Sequence, residues 1–384
     1  MTGQNTYTAL SSAAFGHGVH RGTAVTRYGR LKLASANGHR RVAGTSWATA
    51  RWTSDWVTPG HAFTQLIPSW QAVTPARSYV QVSLRARTAD GRVSSFDTIA
   101  RWTSSDAVFK RTSMGTQGDD LARVNTDTFV AASGVQFTSW QVRLTLVRAP
   151  GAASPKVRRV GAVASLPAAT VPATSTPLYG AQQLAVPGYS QMTHRGQYPA
   201  YGGGGEAWCS PTSTSMVLGY YGALPSRSAY AWVKKSYADP WVDHAARMTF
   251  DHRYDGTGNW PFNTAYAARL VDDAFVTRLS DLRDAERFVH AGIPLVVSIS
   301  FSRGQLSGAP ISATAGHLVV ITGFTASGSV VVNDPAAPSN ASVSRTYDRG
   351  QFERAWLTSS KGAAYVIRDA AHALPAAGGS GSSW

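Results

Sequence analysis

The sequence predicts a multi-domain protein in which an antiparallel β-sandwich over residues 1–165 precedes an α+β domain over residues 183–370. Three observations predict this order. Apolar and polar residues alternate in the first part, a stretch rich in Pro, Ala and Thr interrupts the chain, and helical patterns precede strand patterns in the second part. At 384 residues, 43% of them hydrophobic, the chain is long enough for two domains with cores of their own.

The first part of the chain has an apolar period of two residues. Tyr79–Arg87 places Val, Leu and Ala on one side and Gln, Ser and Arg on the other, and Trp140–Val147 shows the same pattern. Such alternation is typical of antiparallel strands with one buried face, and several short strands between turn sequences indicate a β-sandwich. The pentapeptide Ala-Arg-Trp-Thr-Ser occurs at 50–54 and at 100–104, which favours matching strands of that sandwich.

Two segments delimit the second domain. Residues 166–182 are rich in Pro, Ala and Thr and carry no charge, which is typical of a semi-extended linker. Residues 371–384 contain several Gly and Ser residues, and we expect them to form a flexible tail.

The second domain, residues 183–370, has helical periodicity first and strand periodicity later, so an α+β arrangement is predicted. Ser327-Gly328 is the expected hairpin turn between its last two strands. The predicted elements are helices over Cys209–Tyr221 and Asn263–Asp273, a helix from about Ser280 to Gly292, and strands over Leu295–Phe301, His317–Phe324 and Val330–Val332.

The positive charge of the chain is concentrated in its first part. Residues 1–165 contain 20 Lys and Arg against seven Asp, whereas residues 166–384 contain 16 basic against 14 acidic residues. A basic domain attracts anionic partners such as cell-wall polymers, acidic polysaccharides, nucleic acid or lipid head groups, and a composition that only favours solubility is the alternative. Nucleic acid is disfavoured because no zinc-finger, helix-turn-helix or aromatic-basic motif is present. No run of about 18 apolar residues predicts a membrane-spanning helix, and the first 35 residues lack the apolar stretch of a secretory signal.

The single cysteine, Cys209, is a candidate nucleophile. It follows a glycine-rich segment, and Pro211 lies where a proline fits the first turn of a helix. A thiol at a helix N-terminus has a lowered pKa, because the partial positive charge there stabilises the thiolate. A buried structural cysteine is the alternative.

Two further residues have the chemistry that a thiolate nucleophile requires. His317 opens an apolar strand, and Asp334 closes the next one. If Ser327-Gly328 is the pivot of the hairpin, Asp334 lies opposite Ile321 and shares a face with His317. A shifted turn or a bulge is then needed to bring the two side chains within hydrogen-bond distance. An Asp-Pro turn and a core histidine are the alternatives for these residues.

Gln191, upstream of the cysteine, is a candidate donor to an oxyanion, together with the backbone N–H of Cys209. Acidic residues and histidines also occur together in residues 239–259, but their spacing matches no zinc or EF-hand pattern. We therefore expect this stretch to be a polar loop beside the cleft and predict no metal site.

Four motifs together resemble a known family. They are Val-Pro-Gly-Tyr-Ser-Gln at 186–191, Trp-Cys-Ser-Pro-Thr-Ser at 208–213, Gly-His-Leu-Val-Val-Ile-Thr-Gly-Phe at 316–324 and Val-Val-Asn-Asp-Pro at 331–335. These segments are similar to the papain-like cysteine peptidases that process double-glycine bacteriocin leaders, and above all to their stand-alone secreted bacterial relatives. The resemblance covers about residues 186–368, and residues 1–165 are loosely similar to the accessory β-sandwich that precedes such domains.

The resemblance implies a papain-like fold with Cys209 as nucleophile, His317 as general base, Asp334 as the residue that orients it and Gln191 in the oxyanion hole. It also implies a peptide or protein substrate, no metal or cofactor, and an extracellular or cell-wall-associated location. The sequence departs from the family where Ser210 replaces the usual glycine and where a glycine-rich insertion separates Gln191 from Cys209. A cell-wall amidase or endopeptidase, an acyl transferase and a non-catalytic binder of anionic surface polymer remain alternatives.

Overall fold

The computed structural model describes residues 3–379 and 381–384. The N-terminal unit comprises Tyr7–Leu166 together with Asp251–Tyr254, and the C-terminal unit comprises the other described residues. Residues 1 and 2, in the predicted accessory domain, and residue 380, in the predicted tail, lie outside the described residues.

The N-terminal unit is built from strands that form two antiparallel sheets, as the two-residue periodicity predicts. Its elements are β1 (Gln4–Leu10, which begins just before the unit), α1 (Ser12–Phe15), β2 (Val19–Arg21), β3 (Thr23–Val25), β4 (Leu31–Leu33), β5 (Gly38–Val42), β6 (Thr45–Thr53), β7 (Gln65–Val73), β8 (Ser78–Arg87), β9 (Asp97–Trp102), β10 (Thr112–Ser113), β11 (Ala122–Asn125), β12 (Thr128–Ala131), β13 (Ser139–Arg148) and β14 (Lys156–Leu166). One sheet has the order β11-β12-β7-β14-β1, with β3 and β4 beside it, and the other has the order β10-β9-β8-β13-β6-β2, with β5 beside β6.

The core of this unit lies between the two sheets. On β8, Val80, Val82 and Leu84 are fully buried, since every second side chain points to the same face. Trp70 of one sheet meets Trp102 of the other edge-on, with ring centroids 6.2 Å apart. The strands β9 and β6, which carry the repeated pentapeptide, flank the central β8–β13 pair, so the two copies occupy equivalent positions in one sheet.

The C-terminal unit combines helices with one antiparallel sheet of order β16-β21-β17-β18-β19-β20, in which β15 also pairs with β18. The elements are β15 (Gln182–Gln183), α2 (Cys209–Tyr220), α3 (Pro240–Thr249), α4 (Trp260–Ala267), β16 (Asp273–Arg278), α5 (Leu282–His290), β17 (Leu295–Phe301), β18 (Thr314–Phe324), β19 (Val330–Asn333), β20 (Ser344–Tyr347), α6 (Arg349–Ser359), β21 (Ala363–Arg368) and β22 (Ser382–Ser383). Short 3-10 helices occur at Gln191–His194, Gly205–Ala207 and Asn340–Ser342.

Two helices differ from the prediction. The helix α4 begins three residues earlier than predicted because the Asn259 side chain caps it by accepting from the Phe262 N–H at 3.1 Å, and the chain is already in strand β16 at Asp273. The expected polar loop at residues 239–259 is wrong, since its first half forms α3. This helix buries Val242, Ala245, Ala246 and Thr249, an apolar stripe that its Asp and His residues obscure in the sequence.

Both boundary segments are attached to the C-terminal unit. Within residues 167–181, which form no helix or strand, Ser175 donates its amide and hydroxyl hydrogens to the Glu353 carboxylate, each at 2.7 Å. At the other end, the prediction of a flexible tail is wrong for the last residues. Ser382 and Ser383 pair in parallel with residues 5 and 6, and the Trp384 ring lies 4.6 Å from that of Phe288.

Candidate active site

The helix α2 begins at Cys209 and is buried along most of its length. Pro211 lies in its first turn, where the missing N–H has no hydrogen bond to lose. Gly222, with a φ of 63°, ends it, and the N–H of Ala223 closes the last turn on the Leu218 carbonyl at 2.8 Å. Cys209 itself is only partly buried, so the first residue of this helix has a path to solvent.

His317 is placed by strand β18 and Asp334 by the end of β19. In the observed register Val320 pairs with Asn333, so the next position along the ladder sets Asp334 opposite Val319 rather than Ile321. The difference arises because the hairpin loop contains three residues, 326–328, instead of the expected two, and because the register slips by one residue between Ile321 and Gly323. The longer loop and the bulge each contribute one residue, and together they bring Asp334 two residues closer to His317.

The two side chains are in direct contact. The Nε2–H of His317 donates to Oδ1 of Asp334 at 2.7 Å, and both residues are buried. Oδ1 also accepts from the Ala336 N–H at 3.0 Å, while Oδ2 accepts from the Tyr347 hydroxyl at 2.8 Å. Each carboxylate oxygen therefore accepts a hydrogen bond from a donor other than the imidazole. These bonds fix the carboxylate, and the carboxylate in turn orients the imidazole ring.

Cys209 is hydrogen-bonded to the same imidazole. Because Nε2 is engaged by Asp334, the thiol faces the other ring nitrogen, Nδ1. Burial raises the pKa of the Cys209 thiol, but the hydrogen bond and charge of His317 and the backbone around Leu318 and Ser210 outweigh it, so that the pKa lies below its usual value. This direction is the one that a reactive thiolate requires.

The pKa of His317 shifts in the opposite direction. Burial lowers the pKa of His317, yet the charge and hydrogen bond of Asp334, with a smaller contribution from Cys209, raise it to about 10. For Asp334, burial raises the pKa, and the opposing effects of His317, Tyr347 and the Ala336 N–H lower it below the usual range. The three pKa shifts thus favour the thiolate, the imidazolium and the carboxylate over their uncharged forms.

Gln191 contacts both the segment that follows Asp334 and the segment that precedes Cys209. Its backbone N–H donates to the Pro335 carbonyl at 2.9 Å, directly after Asp334. Its side-chain Nε2 donates to the Glu206 carbonyl at 2.6 Å, three residues before Cys209. The side chain is buried and its Oε1 has no hydrogen-bond partner among the described residues. One amide hydrogen orients the side chain, and the second remains available to an acceptor beside the helix start.

Glycine in the segment before Cys209 allows the backbone there to pack closely against residue His194. A Cβ on Gly205 would lie 2.2 Å from the carbonyl oxygen of His194, so no other residue fits there without moving the backbone. His194 is fully buried and contacts Oδ2 of Asp243, on α3, through Nδ1 at 3.1 Å. The insertion between Gln191 and Cys209 is therefore packed against the helix α3 rather than projecting as a free loop.

The structure brings together Cys209, His317 and Asp334, and it places Gln191 beside the segment that leads to the cysteine. The sequence reasoning missed Tyr347, because nothing in the sequence separates it from the other core tyrosines. It also missed His194 and Asp243, because His194 lies in a short 3-10 helix that was not predicted and Asp243 was expected to lie in a loop. Among the described residues no group of three or more His, Cys, Asp or Glu is arranged to hold a metal ion. In the same part of the chain, none of the helices has the length and apolar character needed to span a membrane.

A thiol at the start of a buried helix, next to an imidazole and a carboxylate supplied by neighbouring strands, is an arrangement that cysteine peptidases use. Residues 183–364 match the family described as Peptidase_C39 like family, and residues 6–165 match the Peptidase C39 N-terminal domain. Both matches are to C39 peptidases, so the chain is similar to that family over residues 6–165 and 183–364.

Comparison with curated proteins gives no match. Solved structures give matches that include infectious bursal disease virus strain Gt, at 9% identity and a TM-score of 0.22, over 42% of this chain and 32% of that chain. Accessory secretory protein 1,2 and 3 of Streptococcus pneumoniae matches at 12% identity and a TM-score of 0.22, over 41% of this chain and 95% of that chain. This chain thus spans about a third of the viral chain, and scores this low carry no information about its fold.

Proposed function

We propose that the protein is a thiol peptidase in which Cys209, His317 and Asp334 form a catalytic triad and Gln191 donates to the oxyanion. The observation that carries this proposal is the imidazole of His317, which bonds Asp334 through Nε2 at 2.7 Å and is also hydrogen-bonded to the Cys209 thiol. In this proposal the C-terminal unit has a papain-like fold and the N-terminal unit is an accessory β-sandwich.

Acylation uses the preformed ion pair. The Cys209 thiolate attacks the carbonyl carbon of the scissile amide, and the electron pair of the C=O bond moves onto oxygen. The backbone N–H of Cys209 and the free amide hydrogen of Gln191 stabilise this oxyanion. When the C–N bond breaks, His317 gives its Nδ1 proton to the leaving amine, and a thioester to Cys209 remains.

Deacylation reverses the role of the imidazole. His317, now neutral, accepts a proton from water, and the resulting hydroxide attacks the thioester. Collapse of the second oxyanion expels the Cys209 thiolate and releases the carboxylic acid. Asp334 stays ionised throughout and keeps the Nε2–H pointed away from the thiol, so Nδ1 always faces the reacting atoms.

The test is hydrolysis by the full chain and by Cys209→Ala, measured on casein and on purified cell wall with products identified by mass spectrometry. We expect new peptide termini from casein with the unsubstituted chain only. Equal hydrolysis by both proteins removes Cys209 from the mechanism. Release of cell-wall fragments without casein cleavage assigns the triad to an amidase instead.

A second proposal concerns the partner and location of the protein. The charge asymmetry between the two halves of the chain supports retention on an anionic polymer outside the cell by the N-terminal unit. Binding of the full chain to an immobilised polyanion, abolished by high salt, tests this proposal independently of peptidase activity.

A further inference from the structure

Arginines converge on the outer face of the sheet β10-β9-β8-β13-β6-β2. Cross-strand pairing sets Arg21 opposite Arg51, and on β13 it sets Arg143 opposite Ser83 of β8 and Thr53 of β6. Arg51 and Arg143 alternate with the buried residues of their own strands, so their side chains point away from the core, and the pairing with Arg51 places Arg21 on the same face. The set, called the arginine face below, is Arg21, Arg51, Arg85, Arg87, Arg101 and Arg143.

Neutral side chains hold these guanidinium groups in place. The Nε of Arg85 donates to Oε1 of Gln141 at 2.8 Å, and that of Arg101 donates to Oε1 of Gln81 at 3.2 Å. The Nε of Arg143 donates to the Thr53 hydroxyl at 3.3 Å. Because Nε is used each time, the two terminal nitrogens of these guanidinium groups form no hydrogen bond to the described residues, and such a pair can bind one oxyanion bidentately.

The guanidinium groups of the arginine face also stack on aromatic rings. The Arg143 guanidinium lies 3.7 Å from the centre of the Phe96 ring, and that of Arg85 lies 4.4 Å from the same ring. Arg87 lies 4.5 Å above the ring of Trp56. Such stacking orders long side chains before a ligand arrives, which lowers the entropy that binding has to overcome.

The positive charge of the arginine face is not neutralised by the protein. Within residues 3–379 and 381–384, no carboxylate forms an ion pair with any of the six side chains. Burial, followed by the charges of Arg51, Arg85 and Arg21, holds the pKa of Arg143 below its usual value. Like charges in this proximity repel one another, and an anion placed among them removes that repulsion.

Two adjoining clefts open on the face. One, of about 300 Å³, is lined by Arg21, Arg51, Arg85 and Arg143. The other, of about 290 Å³, shares Arg51 and Arg143 with the first and is also lined by Arg40. Arg51 and Arg143 therefore lie between two neighbouring clefts. Each cleft is wide enough for a tetrahedral oxyanion.

We propose that the arginine face binds a flexible polyanion through tetrahedral oxyanions, phosphate or sulfate, that repeat along the polymer. This inference rests on the proposal that the N-terminal unit binds anionic polymer, and it adds the site and the chemical class of ligand. Nucleic acid is the less suitable ligand because guanidinium groups already cover the rings of Phe96 and Trp56 and leave no aromatic platform for bases.

The experiment uses the full chain and measures binding to poly(glycerol phosphate), to heparin and to single-stranded DNA as a function of salt. The test variant is Arg51→Gln with Arg143→Gln. The matched control is Arg30→Gln with Arg123→Gln, which removes the same charge from two exposed arginines elsewhere in the unit. Arg51→Lys with Arg143→Lys keeps the charge but removes the bidentate geometry.

We expect the test variant to bind poly(glycerol phosphate) or heparin about tenfold or more weakly, and its affinity to depend less steeply on salt. The affinity of the lysine variant should lie between those of the test variant and the original chain. The affinity of the control variant should stay near that of the original chain. The preferred polymer of the two distinguishes phosphate from sulfate. The thermal midpoint of the test variant should not fall, since repulsion is relieved. Equal weakening by test and control variants, or tighter binding of DNA than of both polymers, overturns the site. Absence of binding by the original chain overturns polymer binding as well, whereas casein hydrolysis reports separately on the thiol site.

Discussion

Tyr347, at the end of β20, donates its hydroxyl hydrogen to Oδ2 of Asp334 at 2.8 Å from the side opposite to His317. The carboxylate is thus held between a phenol and an imidazole. Burial and the charge of Asp334, with the hydrogen bond to it, raise the pKa of Tyr347 above its usual value, so the hydroxyl stays a donor over the working pH range. In the proposed triad, this bond makes Tyr347 a positioning residue.

Replacement of Tyr347 by Phe should therefore reduce turnover. Oδ2 of Asp334 loses its donor, the carboxylate gains freedom, and the imidazole is oriented less well, at a cost of about 1–2 kcal/mol. We expect kcat to fall about tenfold with KM nearly unchanged, in steady-state assays on a peptide substrate. Tyr266→Phe is the control, because Tyr266 is buried in the same unit and its hydroxyl has no hydrogen-bond partner in the described structure. Equal kcat values in the two variants contradict the positioning role.

Gln191 offers a test of the oxyanion site. If its amide donates only to the transition state, Gln191→Ala should lower kcat by about 10²–10³ and leave the alkylation rate of Cys209 unchanged. The exposed residue Gln183, on β15, supplies the matched control Gln183→Ala. A parallel loss of alkylation in Gln191→Ala would show instead that the residue maintains the fold around the helix start.

The pH dependence of hydrolysis follows from the directions of the pKa shifts. Activity should rise with pH as the Cys209 thiol ionises below its usual pKa, and it should fall near pH 10 as His317 loses its proton. Because Asp334 raises the pKa of His317, Asp334→Asn should move the alkaline limb of the kcat/KM profile to lower pH. An alkaline limb that stays in place contradicts the assignment of that limb to His317.

A buried ion pair between Arg349 and Glu286 helps to hold residues 167–181 against the C-terminal unit. Arg349 donates to the Glu286 carboxylate and to the Ser175 carbonyl, each at 2.5 Å. Arg349→Leu leaves buried carboxylates without a cation and should lower the free energy of unfolding of this unit by about 3–5 kcal/mol. Urea-dependent hydrogen exchange of peptides from α6 measures this change. Arg354→Leu, at an exposed position of the same helix, should change it by less than about 0.5 kcal/mol.

The sequence predicted the elements that have a strong period and a clear end. Strand β17 was predicted with its observed bounds, and helix α2 with its start at Cys209, because apolar runs, Pro211 and Gly222 mark them locally. Helix α3 was missed because Asp and His residues hide its apolar stripe. The anchoring of the linker was missed for a similar reason, since the partners of Ser175 lie far away in the sequence.

The candidate site could be predicted as a set of residues but not as a geometry. Side-chain parity placed His317 and Asp334 on one face of the sheet, yet their contact depends on a three-residue hairpin loop and a one-residue bulge near Thr322, neither of which a sequence pattern marks. Tyr347 was beyond reach because its role comes from the pairing of β20 with β19, a contact between segments with no shared motif.

The most direct measurement is the rate of Cys209 alkylation by iodoacetamide across pH in the full chain and in His317→Ala. The account predicts that the original chain reacts well below the ordinary thiol pKa of about 8.5, because the imidazolium stabilises the thiolate, and that His317→Ala reacts only near or above it. Superimposable pH profiles for the two proteins, with no reaction below the ordinary thiol pKa, would contradict the claim that His317 activates Cys209.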